Sequence, residues 1–188
     1  MTPSFEIIDD IIKGKIKDKR DLHKAKVRLS KKYRLANMPS NPDILATAGG
    51  DRQRVIEILR KKSSRTLSGV STVAVMTPPT NCQHGTCVFC PGGPKAGVPQ
   101  AYTGHEPSTM RAMRNNYDPY RITKNRIEQL EAIGHPTSKI EVIIQGGTFT
   151  AQYHNFQYNF VKGIFDGLNG VISKDLEEAK SINETSEH

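Results

Sequence analysis

Thr72-Val73-Ala74-Val75-Met76-Thr77-Pro78-Pro79-Thr80-Asn81-Cys82-Gln83-His84-Gly85-Thr86-Cys87-Val88-Phe89-Cys90-Pro91-Gly92-Gly93-Pro94 joins an apolar run to a loop rich in cysteine, glycine and proline. Its first five residues are apolar or β-branched and read as a buried strand that Pro78-Pro79 ends. A cysteine loop comes directly after it, and Pro91 to Pro107, without periodicity, reads as more loop. Pro119 then suits the first turn of a helix running to Ile133, with Ile127, Leu130 and Ile133 on one face and Gly134 at its end. Ile140 to Gln145 is a second apolar strand, ended by Gly146-Gly147-Thr148. Phe156, Phe160, Ile164 and Leu168 mark the next helix, and Ser173 to His188 is a polar, partly helical close. Strand, loop, helix, strand, Gly-Gly, helix is the opening of a parallel α/β sheet. Only two strands follow residue 70, whereas a (β/α) barrel takes roughly 200 residues or more. The expectation is an incomplete parallel α/β domain, in a chain that stops partway through it.

All three cysteines of the 188-residue chain lie in that loop, at Cys82, Cys87 and Cys90. Three thiolates so close can hold one 4Fe-4S cluster with one iron left open, whereas a purely electron-transferring cluster uses four cysteines. An open iron can bind and activate a substrate. Gly85 and Gly92-Gly93 let the backbone wrap closely around such a group. Two other readings stay open: a zinc knuckle of Cys82, His84, Cys87 and Cys90, although a ligand two residues from Cys82 is awkward, and three unrelated buried cysteines. An odd, tightly packed set of cysteines points to a reducing, cytoplasmic setting and to metal chemistry, not to a disulfide framework.

Outward from the loop, composition leaves room for a modest core, with 36% hydrophobic and 24% charged residues, and much loop, with 15 Gly and 11 Pro. Residues 1–10 lack the pattern of a signal peptide, and no apolar stretch is long enough to span a bilayer, so no membrane partner is expected. The net charge of +8 is uneven: residues 1–65 hold 17 Lys/Arg against 8 Asp/Glu, and the remainder 10 against 11. Between Lys13 and Arg34 there are eleven bases and only Asp18 and Asp21 as acids. Such polarity reads as a basic, helical nucleic-acid-binding region over 1–70 joined to a near-neutral body over 71–188. Lys24, Lys26, Arg28, Lys31, Lys32 and Arg34 are the candidate phosphate contacts, with Tyr33 available for stacking; the plainer reading is a solvated helix face. Residues 5–12 have helical apolar spacing and Pro39-Ser40-Asn41-Pro42 interrupts. Asp43 is the expected cap of the next segment, and a basic helix is predicted from about Arg52 to Lys62.

The cysteine spacing resembles that of radical S-adenosylmethionine (SAM) enzymes, with four residues in the first gap where most of them have three. More closely, Asn81 to Pro94 resembles the catalytic subunit of Elongator in its archaeal form. The likeness continues through Ser30-Lys31-Lys32-Tyr33, Pro39 to Pro42, Gln100-Ala101-Tyr102-Thr103-Gly104-His105-Glu106-Pro107, Met110-Arg111-Ala112, Tyr117 to Tyr120 and Gly146-Gly147-Thr148-Phe149. It covers nearly the whole chain in order. Gln83 departs from the family's usual Pro at a position that is not a ligand. The resemblance implies the first βα units of a radical SAM partial barrel in a tRNA wobble-uridine acetyltransferase, with SAM on the 4Fe-4S cluster and acetyl-CoA as co-substrate. It also implies missing strands and a missing C-terminal GNAT domain, whether in a separate C-terminal half or elsewhere, and other Elongator subunits as partners. The chain alone is then not competent. By the same resemblance Gly146, Gly147 and Thr148 sit where SAM's methionine amino group is held, though taken alone they read as a strand-to-helix turn. Lys139 matches a lysine associated with acetyl-CoA, otherwise a solvated strand-end lysine. Tyr102 and Glu106 enter the ligand lining by family match only. Alternatives to the enzyme are a non-catalytic iron–sulfur tRNA-binding module and a zinc-stabilised one.

Overall fold

The computed structural model describes residues 2–83 and 85–186. The chain forms two compact units, one running to Ser71 and joined by Gln129–Thr137, the other made of Thr72–Glu128 and the residues from Ser138 onward.

The first unit is helical. Helix α1 (Pro3–Ile12) opens on a proline, which lacks the N–H that a first turn leaves unpaired anyway. It buries Ile7, Ile8 and Ile11. Helix α2 (Lys19–Lys32) is capped by Asp18, whose carboxylate accepts from the Arg20 and Asp21 amides at 2.7 and 2.8 Å. Lys31 and Lys32 in its last turn complement the negative end of the helix dipole. Helix α3 (Asn41–Thr47) is capped by Ser40, not by the expected Asp43. Asp43 stands at the third position and reaches back to the Ser40 amide, so the two form a reciprocal capping box. Helix α4 (Arg52–Leu59) buries Val55 and Leu59 and ends sooner than predicted, because Arg60 turns to an extended ψ of 125°. Ile7, Leu29, Ile44, Leu45, Val55 and Leu59, at most 1% exposed, make one core. The segment 129–137 is tied to this unit through its carbonyls. Arg52 donates to Glu131, Arg60 to Gly134 and Ser71 to Pro136, at 2.6–2.7 Å.

The second unit holds a two-stranded parallel sheet of β1 (Ser71–Met76) and β2 (Ile140–Gln145), extended by a Thr77 amide bond to the Gln145 carbonyl at 2.8 Å. Val73, Val75 and Met76 are fully buried, whereas Ile143 on β2 is 42% exposed. Helix α5 (Pro107–Arg114) begins where the expected loop ends, in a stretch for which no element was predicted. Helix α6 (Pro119–Ala132) follows its prediction closely, with Asp118 accepting from the Arg121 amide at its start. Helix α7 (His154–Asn169) buries Phe160 and Ile164 as its stripe predicted. It carries two glycines whose absent Cβ atoms would lie 2.6 Å from Pro119 and 2.8 Å from Thr123, so Gly163 and Gly167 let α7 lie directly on the start of α6. Helix α8 (Leu176–Thr185) completes the unit. Buried Asp166 accepts from Lys162 and from the Ser173 amide and hydroxyl at 2.6–3.0 Å, which holds the turn between α7 and α8.

Candidate metal centre and nucleic-acid face

Beyond β1 the chain crosses Pro78-Pro79 and enters the cysteine loop, and beyond β2 it makes the Gly-Gly turn. Both loops therefore arise at the same end of the parallel sheet, the carboxyl end, where open α/β sheets bind ligands. They meet around a cavity of about 250 Å³ lined by Cys82, Cys87, Phe89, Cys90, Gln100, Ala101, Gly147 and Thr148. Cys82 and Cys90 are half-buried and Cys87 is exposed. Among the described residues no three His, Cys, Asp or Glu groups converge on one ion-sized point. His84, the fourth member of the zinc alternative, lies outside the described residues.

Main-chain groups shape the cavity as much as side chains do. The Cys90 thiol donates to the Gly92 carbonyl at 3.1 Å, and its sulfur accepts from the Ala101 amide at 3.2 Å. Ala101 reaches that position in a left-handed conformation, φ 72°, which a residue with a Cβ rarely adopts. A Cβ on Gly92 would stand 2.2 Å from the Tyr102 carbonyl, so the two strands of loop meet only because that residue is glycine. A Cβ on Gly147 would lie 4.0 Å from the Cys82 sulfur, and one on Gly93 3.8 Å from the Cys90 sulfur. Gln83, the departure from the family pattern, donates to the Ala151 carbonyl at 3.1 Å, and Gln152 donates to Thr80 at 2.9 Å. These two bonds tie the cysteine loop to the segment after β2.

Of the ligand-lining expectations, Gly147 and Thr148 stand in the cavity, and Gly146 is one residue outside it. Tyr102 and Glu106 do not line it. The Glu106 carboxylate is occupied locally, accepting from the Thr103 amide and hydroxyl, the Gly104 amide and the Thr109 hydroxyl at 2.8–3.1 Å. Those bonds, led by the Thr103 amide, lower its pKa to about 2. Lys139 is exposed and immediately precedes β2. At about 3.3 Å per strand residue it lies roughly 20 Å from the Gly-Gly turn, at the opposite end of the strand. The cavity residues that sequence reasoning missed are Phe89, Gln100 and Ala101, which have no periodicity or charge to reveal them.

In the helical unit the basic residues divide into three groups. Lys24, Lys31 and Arg34 are exposed, and their side chains make no hydrogen bond or ion pair with any described residue. Arg28 and Lys32, also exposed, pair with Asp10 at 2.7 Å and with Glu6 at 2.8 Å. Lys26 corrects the expectation: it is buried, 7% exposed, and its ammonium donates to the Asn41 side chain. Burial lowers its pKa, and it faces the core with Leu22, Ala25 and Leu29, out of reach of a phosphate. Tyr33 donates its hydroxyl to Glu6 and lies under the Lys32 ammonium, 5.1 Å from the ring centre. The Lys32 and Tyr33 hydrogen bonds lower the Glu6 pKa. Arg20 was missed, yet with Lys24 and Lys31 it falls on one side of α2 at four- and seven-residue steps. No helix among the described residues is long and apolar enough to cross a membrane.

With this geometry in hand, comparison with known proteins is specific. Residues 3–67 match the family model of the ELP3 N-terminal domain. Over 187 residues the chain is 51% identical to a Methanocaldococcus jannaschii protein named tRNA uridine(34) acetyltransferase, covering 97% of this chain and 35% of that one. It is 39% identical over 194 residues to Elongator complex protein 3 of Schizosaccharomyces pombe, covering 97% and 36% respectively. A solved Methanocaldococcus infernus Elp3 chain with an N-terminal deletion is 41% identical over 64% of this chain and 21% of its own, with a TM-score of 0.44. The chain spans about a third of the length of the curated relatives it matches. By these matches the chain is similar, along nearly its whole length, to the N-terminal third of the Elongator Elp3 proteins.

Proposed function

We propose that this chain is the cluster-bearing and tRNA-binding portion of a tRNA wobble-uridine acetyltransferase of the radical SAM type. The observation that carries the reading is the cavity at the carboxyl end of β1 and β2, where the chain's three cysteines meet the Gly-Gly-Thr turn. The residues fit a 4Fe-4S cluster. All three cysteines line one cavity, glycine replaces a side chain beside Cys82 and Cys90, and a main-chain amide already points at the Cys90 sulfur. When bound, a SAM-ligated cluster supplies reductive cleavage of the sulfonium and hydrogen abstraction from the acetyl methyl of acetyl-CoA.

The protein's share is placement. Cys82, Cys87 and Cys90 would hold the cluster as thiolates. The Ala101 amide stabilises the charge on the Cys90 sulfur, a bond of the kind that sets cluster potential. Gly147 leaves room for the ligand to approach the backbone, and Thr148 offers a hydroxyl beside it. In the helical unit Arg20, Lys24, Lys31 and Arg34 present unpaired charge to tRNA phosphates. Lys139, at the far end of β2, stands outside this site, so any contact it makes with acetyl-CoA is with a part remote from the acetyl methyl, which has to reach the cavity. In this reading Elongator partner subunits and a GNAT-bearing part take part in the transfer.

Anaerobic reconstitution with iron and sulfide tests the reading. A brown protein with about four irons per chain, whose spectrum changes on adding SAM, is expected. The same preparation, given acetyl-CoA and tRNA, should leave the wobble uridine unmodified. A brown protein blind to SAM would make it a non-catalytic iron–sulfur module, and a colourless zinc protein would make it a zinc-stabilised tRNA binder.

A further inference from the structure

Gln100 is 5% exposed and lines the cavity beside the cysteines. No described residue hydrogen-bonds its carboxamide. Buried polar groups are normally paired, because an unpaired one forfeits its bonds to water without replacement. The fully sealed, unpaired side-chain atoms among the described residues belong to Ser30, Thr123 and Gln145, not to Gln100. The Gln100 carboxamide therefore keeps a small opening to solvent, and the cavity it lines provides that opening. Its position is fixed from behind: its Cγ lies 3.6 Å from where a Gly93 Cβ would stand, and the next residue is pinned to the Cys90 sulfur through the Ala101 amide.

We infer that Gln100 is a positioning residue for the amino-acid end of the ligand taken by this cavity, a reading that rests on the radical SAM assignment. A carboxamide carries two donors and an acceptor with no charge. It can donate to a carboxylate and accept from an ammonium, and leaves no unpaired charge in the cavity when the ligand departs. Thr148 and Gly147, which line the same cavity, are uncharged as well. Apart from the cysteines and the cluster they would hold, the lining thus presents dipoles, not ions, to a zwitterion. An adenine ring would need an apolar face; the large apolar side chain lining the cavity is Phe89, which is 94% exposed. Gln100 and Phe89 accordingly divide the ligand between a polar end and a flat end.

The test is equilibrium binding to the anaerobically reconstituted chain, comparing wild type with Gln100→Leu for two probes, SAM and 5′-methylthioadenosine, which lacks the amino-acid end. Iron content should be unchanged, SAM affinity should fall about tenfold, the loss of one buried hydrogen bond, and 5′-methylthioadenosine affinity should stay within about twofold of wild type. Equal losses for both probes, or none for either, would overturn the inference. Should Gln100→Leu fail to hold iron, Gln100→Glu, nearly the same size, decides: it should weaken SAM further by repelling the carboxylate and still spare 5′-methylthioadenosine, and sparing SAM would overturn the inference. If wild type itself binds no SAM, the radical SAM assignment fails instead, and that outcome is distinguishable because it does not depend on Gln100.

Discussion

Arg34 shows strain kept for its side chain. It follows α2 in a left-handed conformation, φ 49°, while the Leu35 amide bonds back to the Ser30 carbonyl at 2.9 Å. That is the helix-ending arrangement which glycine fills most easily. Arg34→Gly is therefore expected to stabilise the protein by about 1 kcal/mol and yet weaken tRNA binding, read by thermal denaturation and filter binding. Arg34→Ala, which removes the charge and keeps the strain, should weaken binding without stabilising. A second residue, Glu106, ties its loop rather than facing the ligand. Its folded pKa, about 2, is below the ordinary 4.5, so it contributes stability that is present above about pH 4.5 and lost as pH falls towards 2. Glu106→Gln should lower the melting temperature at pH 7 and flatten the stability profile between those limits. An unchanged profile would mean that the four bonds to this carboxylate contribute nothing to folding.

At the scale of elements, α2 has two chemically opposed sides that its composition hides. Eleven bases between Lys13 and Arg34 read as one uniform cationic arm, but helical geometry sends Lys26 inward with Leu22 and Leu29 and leaves Lys24 and Lys31 outward with Arg20. A test at this scale compares Lys24→Glu with Lys31→Glu, and both with Lys26→Met. The first two should each weaken tRNA binding and reduce its salt dependence, by a slope of about 0.7–0.9 per phosphate contact. Lys26→Met should leave that slope unchanged; a slope change equal to that of Lys24→Glu would place Lys26 on the RNA. Elements with long apolar patterns were legible from sequence: α1, β1, α6, β2 and α7 all stand within a few residues of their predicted places. Helices α3 and α5 were not, for a physical reason. Each is one or two turns long, opens near a proline that also reads as a loop signal, and owes its stability to packing of Ile44, Leu45 and Ala112 rather than to a periodic stripe.

Across the whole molecule, the site was half legible. Cysteines and a Gly-Gly turn announce themselves because their chemistry and backbone demands are rare. That the cysteine loop and the Gly-Gly turn would serve one ligand was implied by the resemblance alone, and the parallel run of β1 and β2 accounts for it physically. Gln100 and Ala101 reach that cavity only through the irregular segment after Gly92, whose close approach to Tyr102 is a tertiary fact with no local pattern. Residue-by-residue family likeness placed Tyr102 and Glu106 in the lining, and the cavity takes Gln100 and Ala101 of the same run instead. The central claim is that the cysteine cavity offers SAM a cluster iron not ligated by cysteine. The most direct measurement is electron–nuclear double resonance on the reduced, reconstituted chain with SAM labelled by ¹⁵N in its amino group. A hyperfine coupling from that nitrogen to the cluster is the expected result; a reduced cluster that shows none, with SAM at saturating concentration, would contradict the account.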